Sequence, residues 1–212
     1  MSRGQVATRC ASKGAEVRGN RRCRFWRDTQ GTAAVEFALL APLLMLMLLA
    51  TIETARAVSN NRHFASAVAT AGDLVAREEY LGTSSDGAKT NLDSMMLSIK
   101  HMMQPYDATT LKLGVYSVRA SSTNAAETKV VWSYSYNGMQ VPANCASYGL
   151  PANIVGKGGS VIVVDAIYTF KPLFGDFVPG ISGAMTWKNK SYHSPRNSCV
   201  DYVKGDNCTK SC

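Results

Sequence analysis

The sequence predicts an α+β protein in which a long N-terminal transmembrane helix continues into an exported domain of helices followed by an antiparallel β-sheet. Three observations predict this class. Residues 32–52 form an apolar run with one ionisable side chain, Glu36. Apolar residues then recur at helical spacing to about residue 103, and beyond Pro105 their period changes to two. Because the helices precede the strands, helices and sheet should segregate and not alternate as βαβ units.

The apolar run is long enough to cross a membrane. A helix of this length spans roughly 30 Å, which is the thickness of the hydrocarbon core of a bilayer. A buried core helix is the alternative interpretation, but such helices usually keep a polar face. We therefore place a transmembrane helix at residues 32–53, with Pro42 bending it, and an exported domain at residues 54–212.

Positive charge is concentrated before this helix. The leader, residues 1–31, carries eight Lys and Arg against Glu16 and Asp28, a net charge of +6 out of +8 for the whole chain. Under the positive-inside rule this predicts a cytoplasmic N-terminus. A basic chain also invites a nucleic-acid interpretation, but we find no nucleic-acid motif and expect no such partner.

The six cysteines divide in the same way. Cys10 and Cys23 lie in the leader, where a reducing cytoplasm would keep them as thiols. The exported part contains the other four, which are Cys145, Cys199, Cys208 and Cys212. An even number predicts two disulfides, and the sequence does not choose among the three possible pairings. Scattered free thiols are the alternative.

No catalytic or metal-binding motif is present. The chain lacks C-x-x-C, G-x-S-x-G, H-E-x-x-H, Walker and dinucleotide-binding patterns. Its three histidines lie far apart in sequence, and the glycines around Lys157 lack phosphate-loop spacing. Asp165, inside an apolar strand, is expected to be a buried polar group with a partner. We therefore expect no enzyme, no metal and no cofactor.

The start of the apolar run resembles a processing site. A secretory signal would have a shorter apolar stretch with its cleavage site behind it. Here Gly31 precedes the run, and four residues, beginning with Thr32, separate it from Glu36 and Phe37. This arrangement at the head of an apolar helix resembles the type IV prepilin cleavage site.

With RDTQ before this site and ALLAPLLMLMLLATIETAR after it, residues 27–56 resemble TadE-like proteins, the minor pseudopilins of the tight-adherence (Flp type IVb) pilus assembly system. We place the TadE-like segment at about residues 27–73. The resemblance implies cleavage after Gly31 by a prepilin peptidase. It also implies a single-pass anchor in the bacterial inner membrane, a periplasmic domain, a pilin-like fold, and other pilins or pseudopilins as partners. The alternative is an unprocessed single-pass protein whose periplasmic domain binds a ligand or a secretion-apparatus partner.

Glu36 lies about one turn into the helix. One interpretation is a tolerated terminal charge, which the helix dipole favours. The other gives it a partner, either the Thr32 amine created by cleavage, four residues earlier on the same face, or the amine of a neighbouring subunit, as the pilin resemblance implies. Either partner would neutralise the carboxylate inside the membrane.

The first helix should continue to about residue 79, because Phe64, Val68, Ala71 and Val75 form an apolar stripe. Glu53 and Arg56, three residues apart, are expected to pair on its surface. Residues 82–87 predict a loop.

A second helix is predicted over residues 90–103, with Thr90 as its cap and Pro105 as its stop. Its apolar stripe consists of Leu92, Met96, Ile99 and Met103. The methionines fit core packing better than a partner surface.

Strands are predicted at residues 111–116, 130–136, 160–170 and 185–192. The third is apolar on both faces and should be central. Asn137 and Gly138 predict a tight turn, and residues 142–159 and 171–183 predict loops.

Overall fold

A computed structural model describes residues 31–174 and 183–206. Its elements, in chain order, are helices α1 (Thr32–Arg77) and α2 (Ser85–Met102), then strands β1 (Lys112–Ala120), β2 (Thr128–Tyr136), β3 (Ser160–Phe170) and β4 (Met185–His193). The strands form one antiparallel sheet in the order β2-β1-β3-β4. The predicted α+β class, with a long apolar helix before a second helix and an antiparallel sheet, is confirmed.

The chain divides into two compact units, Met1–Met47 and Leu48–Cys212. The described part of the first unit is the start of α1, where nearly every side chain is exposed. An 18-residue window of α1 has a mean hydropathy of 2.3 and no buried residue. Among the residues that the structure describes, α1 is the one helix long and apolar enough to cross a membrane. The predicted domain boundary after residue 53 stays a prediction.

In the second unit, α1 packs on the sheet through the predicted stripe. Phe64, Val68, Ala71 and Val75 are all buried in one core cluster with residues of α2 and the sheet. Gly72 lies on the same side of the helix, and a Cβ placed there would come within 2.1 Å of Cδ2 of His193. Any larger residue at this position would therefore require the His193 ring to move.

Helix α2 begins five residues before its predicted start. Ser84 is its cap, because the Ser84 hydroxyl accepts a hydrogen bond from the Gly87 N–H, and Asp86 follows in the first turn. The predicted cap at Thr90 is wrong, since the Thr90 hydroxyl donates to the Asp86 carbonyl inside the helix. The predicted loop over residues 82–87 is therefore wrong from Ser85 onward.

The end and inner face of α2 agree with the sequence. The helix ends at Met102, and Leu92, Met96, Ile99 and Met103 are all completely buried. Two of the methionines thus pack in the core, as predicted.

The central strand β3 has the predicted bounds and lies between β1 and β4. The predicted turn is also confirmed, since Asn137 and Gly138 both have positive φ. The predicted loop at residues 142–159 contains a short stretch that pairs with the outer edge of β2, where the Tyr148 N–H donates to the Thr128 carbonyl. That loop also covers the sheet face opposite α1, where Tyr148 and Leu150 pack on a second buried cluster.

The described part of the tail, up to residue 206, is hydrogen-bonded to the residues that follow α1. The Asp201 N–H donates to the Glu79 carbonyl, and the Asp201 carbonyl accepts from the Leu81 N–H. From β2, the Trp132 indole donates to the Val200 carbonyl at 2.8 Å. The tail therefore closes the core at the end of the sheet farthest along α1.

Candidate functional site

The predicted processing residues all lie at the N-terminal end of α1. Gly31 immediately precedes the helix, and Thr32, Glu36 and Phe37 lie in its first two turns. Gly31 is exposed, and no heavy atom beyond its chain neighbours lies within 4 Å of the place that a Cβ would take. Both residues that flank the proposed cleavage bond, Gly31 and Thr32, are thus exposed.

Helical geometry brings Thr32 and Glu36 to the same face, because residues four apart are neighbours on a helix surface. Glu36 is exposed, and so is Phe37, with 67% of its surface accessible. Nothing within the described chain therefore buries the carboxylate. The roles of these four residues in cleavage stay predictions.

Glu53 corrects a prediction. It does lie near Arg56, with Nη1 3.5 Å from Glu53 Oε1, but it is buried and not on the surface. Its Oε1 accepts hydrogen bonds from two successive backbone amides, those of Leu173 and Phe174, each at 2.8 Å. A buried carboxylate needs such partners, because burial removes its hydration. Sequence reasoning missed this role because the partners lie 120 residues away.

Asp165 has the predicted partners, but it is half-buried and not fully buried as expected. On the sheet face opposite α1, its carboxylate accepts a hydrogen bond from the Tyr116 hydroxyl and lies 3.3 Å from Lys190 Nζ. The Tyr148 hydroxyl lies 2.9 Å from that of Tyr116 and accepts from Lys190 Nζ at 2.7 Å. The four side chains thus satisfy one another in a closed network.

This network shifts the pKa of two of its members. Burial, together with the hydrogen bonds to Asp165 and Tyr148, raises the pKa of Tyr116 far above its usual value. Burial alone would lower the pKa of Lys190, but the hydrogen bond to Tyr148 and the charge of Asp165 outweigh it and raise that pKa. Both groups therefore hold their protons at neutral pH.

The exported cysteines are only partly within the described residues. Cys145 lies at the outer edge of β2, where its N–H donates to the Val130 carbonyl, and Cys199 lies in the tail. Cys208 and Cys212, like Cys10 and Cys23, fall outside the described residues. The two predicted disulfides stay a prediction. In residues 31–174 and 183–206, no three His, Cys, Asp or Glu side chains gather as metal ligands would.

Comparison with known proteins agrees with the sequence at the N-terminal segment. No curated protein and no solved structure matches the chain. One family model does, and its match begins at Gly31, immediately before α1. The predicted resemblance is thus confirmed over residues 31–73, which match the family model of TadE-like protein.

Proposed function

We propose that this chain is a minor pseudopilin of a tight-adherence (Flp type IVb) pilus assembly system, held in the bacterial inner membrane by α1 with its C-terminal domain in the periplasm. One observation carries the proposal: the match to TadE-like protein begins at Gly31, and the same residue immediately precedes the apolar helix. The basic leader supports a cytoplasmic N-terminus. The four cysteines beyond the helix support an oxidising compartment for the rest of the chain.

In this proposal the protein is a substrate and not an enzyme. A prepilin peptidase hydrolyses the exposed Gly31–Thr32 bond, which releases the leader and leaves Thr32 with a free amine. Glu36 lies one helical turn away, so it can pair with that amine or with the amine of a neighbouring pilin or pseudopilin. Such pairing neutralises a carboxylate that is costly inside a bilayer and sets the axial register between subunits.

Intact-mass measurement and N-terminal sequencing of the membrane-extracted protein test the cleavage. We expect a chain that starts at Thr32, and we expect Gly31→Leu to keep the leader because the larger side chain blocks the peptidase. Gly19→Leu, a matched glycine substitution within the leader, should leave cleavage unchanged. A wild-type chain that still starts at Met1 would contradict the proposal and favour an unprocessed single-pass protein. A Glu36→Gln chain that is cleaved and assembles like the wild type would exclude the register role.

A further inference from the structure

We propose that the segment after β3, residues 171–174, is a membrane-contact segment that rests on the exported-side surface of an anionic lipid bilayer. Glu53 holds it beside the end of the apolar run. The inference rests on the proposed membrane anchor and adds a second point of contact, one made by the C-terminal domain.

The position of Glu53 places the segment. Glu53 is the first charged residue after the apolar run of residues 32–52. A helix of about 20 apolar residues fills the hydrocarbon core, so Glu53 lies where such a helix enters the headgroup layer. The Leu173 and Phe174 amides each lie 2.8 Å from Glu53 Oε1. In the proposed anchor, the backbone of Leu173 and Phe174 therefore lies beside Glu53, at the level of the lipid headgroups.

The attachment consists of two hydrogen bonds to one oxygen, Oε1, of the buried Glu53 side chain, whose Oε2 is buried without a hydrogen-bond partner. A second link lies two turns further along α1, where buried Asn60 donates from Nδ2 to the Tyr168 hydroxyl at 3.2 Å. Tyr168 lies in β3, two residues before the end of the strand and three before the segment begins. Two links to one helix thus fix this end of β3 against α1.

The exposed side chains at this end of the domain suit a lipid surface. Leu173 is 66% exposed although its backbone is held, and Ile52 is 40% exposed. Lys171 is exposed beside Leu173, and two more exposed lysines, Lys112 and Lys188, flank Ile167 in the neighbouring strands. Apolar side chains among basic ones are typical of segments that enter the boundary between headgroups and acyl chains.

Acidic groups do not cancel this charge. The Glu53 carboxylate is paired with Arg56. Asp107 lies near two lysines, Lys171 and Lys100, whose positive charges contribute to lowering its pKa. Among the described residues, the three exposed lysines therefore outnumber Asp107, the acidic side chain near Lys171. The surplus favours phosphate headgroups of an anionic bilayer.

Depth-dependent fluorescence quenching tests the contact in the full-length chain, reconstituted in nanodiscs of phosphatidylglycerol and phosphatidylcholine. The probe is Leu173→Trp. It leaves the two hydrogen bonds to Glu53 (the Glu53 clamp) intact, because Leu173 and Phe174 contribute only their backbone amides. Bromine atoms placed near the carbonyl end or near the methyl end of the lipid acyl chains serve as quenchers. Emission of the unsubstituted chain is subtracted to remove the native tryptophans.

Two matched probes accompany it. Met45→Trp lies within the apolar run and reports whether the anchor is embedded. Ile154→Trp replaces another exposed apolar residue, in the loop that covers the far end of the sheet near Gly158 and Ser121. It reports quenching unrelated to the proposed surface.

We expect Leu173→Trp to be quenched about twofold or more above Ile154→Trp, and most strongly by bromine near the carbonyl end. Adding Lys171→Glu should reduce this quenching in phosphatidylglycerol nanodiscs while Met45→Trp is unaffected. If Met45→Trp is quenched and Leu173→Trp is not, the membrane-contact segment is overturned and the anchor stands. A blue-shifted but unquenched Leu173→Trp would indicate a neighbouring subunit instead and would also overturn it. An unquenched Met45→Trp would overturn the anchor itself.

Discussion

Two glutamates of α1 show how the surroundings of a single residue decide its role. Glu36 is exposed within an apolar run, and no part of the described chain buries its carboxylate. Glu53 is buried and accepts two backbone amides. The sequence predicted the contact with Arg56, because residues three apart meet on a helix surface. It could not predict the burial, which depends on a segment that arrives 120 residues later.

Tyr116 leads to a prediction about alkaline stability. Its pKa is raised in the folded chain by burial and by hydrogen bonds to Asp165 and Tyr148, whereas in the unfolded chain it is about 10. Above that pH the unfolded state has lost the phenolic proton and the folded state has kept it. The free energy of unfolding should therefore fall as pH rises, by up to about 1.4 kcal/mol per pH unit for this one group.

Urea unfolding of the detergent-solubilised chain between neutral pH and pH values above 10 measures this slope. Tyr116→Phe removes the phenol and should make the slope shallower by the same amount per pH unit. Tyr134→Phe should act in the same direction, because burial and a hydrogen bond to Asp93 raise the pKa of Tyr134 as well. An unchanged alkaline slope in Tyr116→Phe would show that this hydroxyl does not couple folding to pH.

At the scale of elements, the sequence predicted β3 better than the start of α2. Strand β3 is apolar on both faces except at Asp165 and at hydroxyl residues near its ends, and Gly159 before it and Pro172 after it mark those ends. The start of α2 lies within GTSSDG, whose glycines and serines are typical of a loop. Ser84 instead caps the helix, and Gly82 fits tightly against its first turn, where a Cβ would lie 2.3 Å from the Ala88 nitrogen. The helix cap at Ser84 was therefore missed, because the residues around it are typical of a loop.

Ser84→Ala tests the importance of that cap. It removes the oxygen that accepts from the Gly87 N–H, and we expect it to destabilise the chain by about 1 kcal/mol. Ser98→Ala is the matched control, since Ser98 is exposed in mid-helix and its hydroxyl only bonds back to the Ser94 carbonyl. This change should be neutral or slightly stabilising. Urea unfolding followed by circular dichroism compares the two, and equal midpoints would contradict the capping role.

For the chain as a whole, the family match covers a shorter part than the predictions made from the sequence. The match covers residues 31–73, which include the apolar run and the first three residues of the stripe that packs on the sheet. The rest of the C-terminal domain was predicted from periodicity alone, and its helices and strands were found mostly where expected. The closed Tyr116 network and the Glu53 clamp were not predicted as such, because both depend on residues brought together across the sheet and from distant loops.

The cysteines connect topology, oxidation and cleavage in a single measurement. If the leader is cytoplasmic and the rest is exported, Cys10 and Cys23 are thiols and the other four form disulfides. Membranes denatured with an alkylating reagent but without reductant should then show two modified cysteines in the uncleaved Gly31→Leu chain. The cleaved wild-type chain has lost the leader and should show none.

Reduction before alkylation is the control, and it should add four modifications to either chain, because both keep Cys145, Cys199, Cys208 and Cys212. Intact-mass spectrometry counts the modifications, and peptide mapping of the unreduced chain gives the pairing.

Each disulfide is expected to stabilise the domain by about 2–4 kcal/mol, so reduction should also lower the unfolding midpoint. Modification of Cys145 or Cys199 without reductant would contradict the disulfides. Protection of Cys10 and Cys23 in the uncleaved chain would contradict a reduced, cytoplasmic leader.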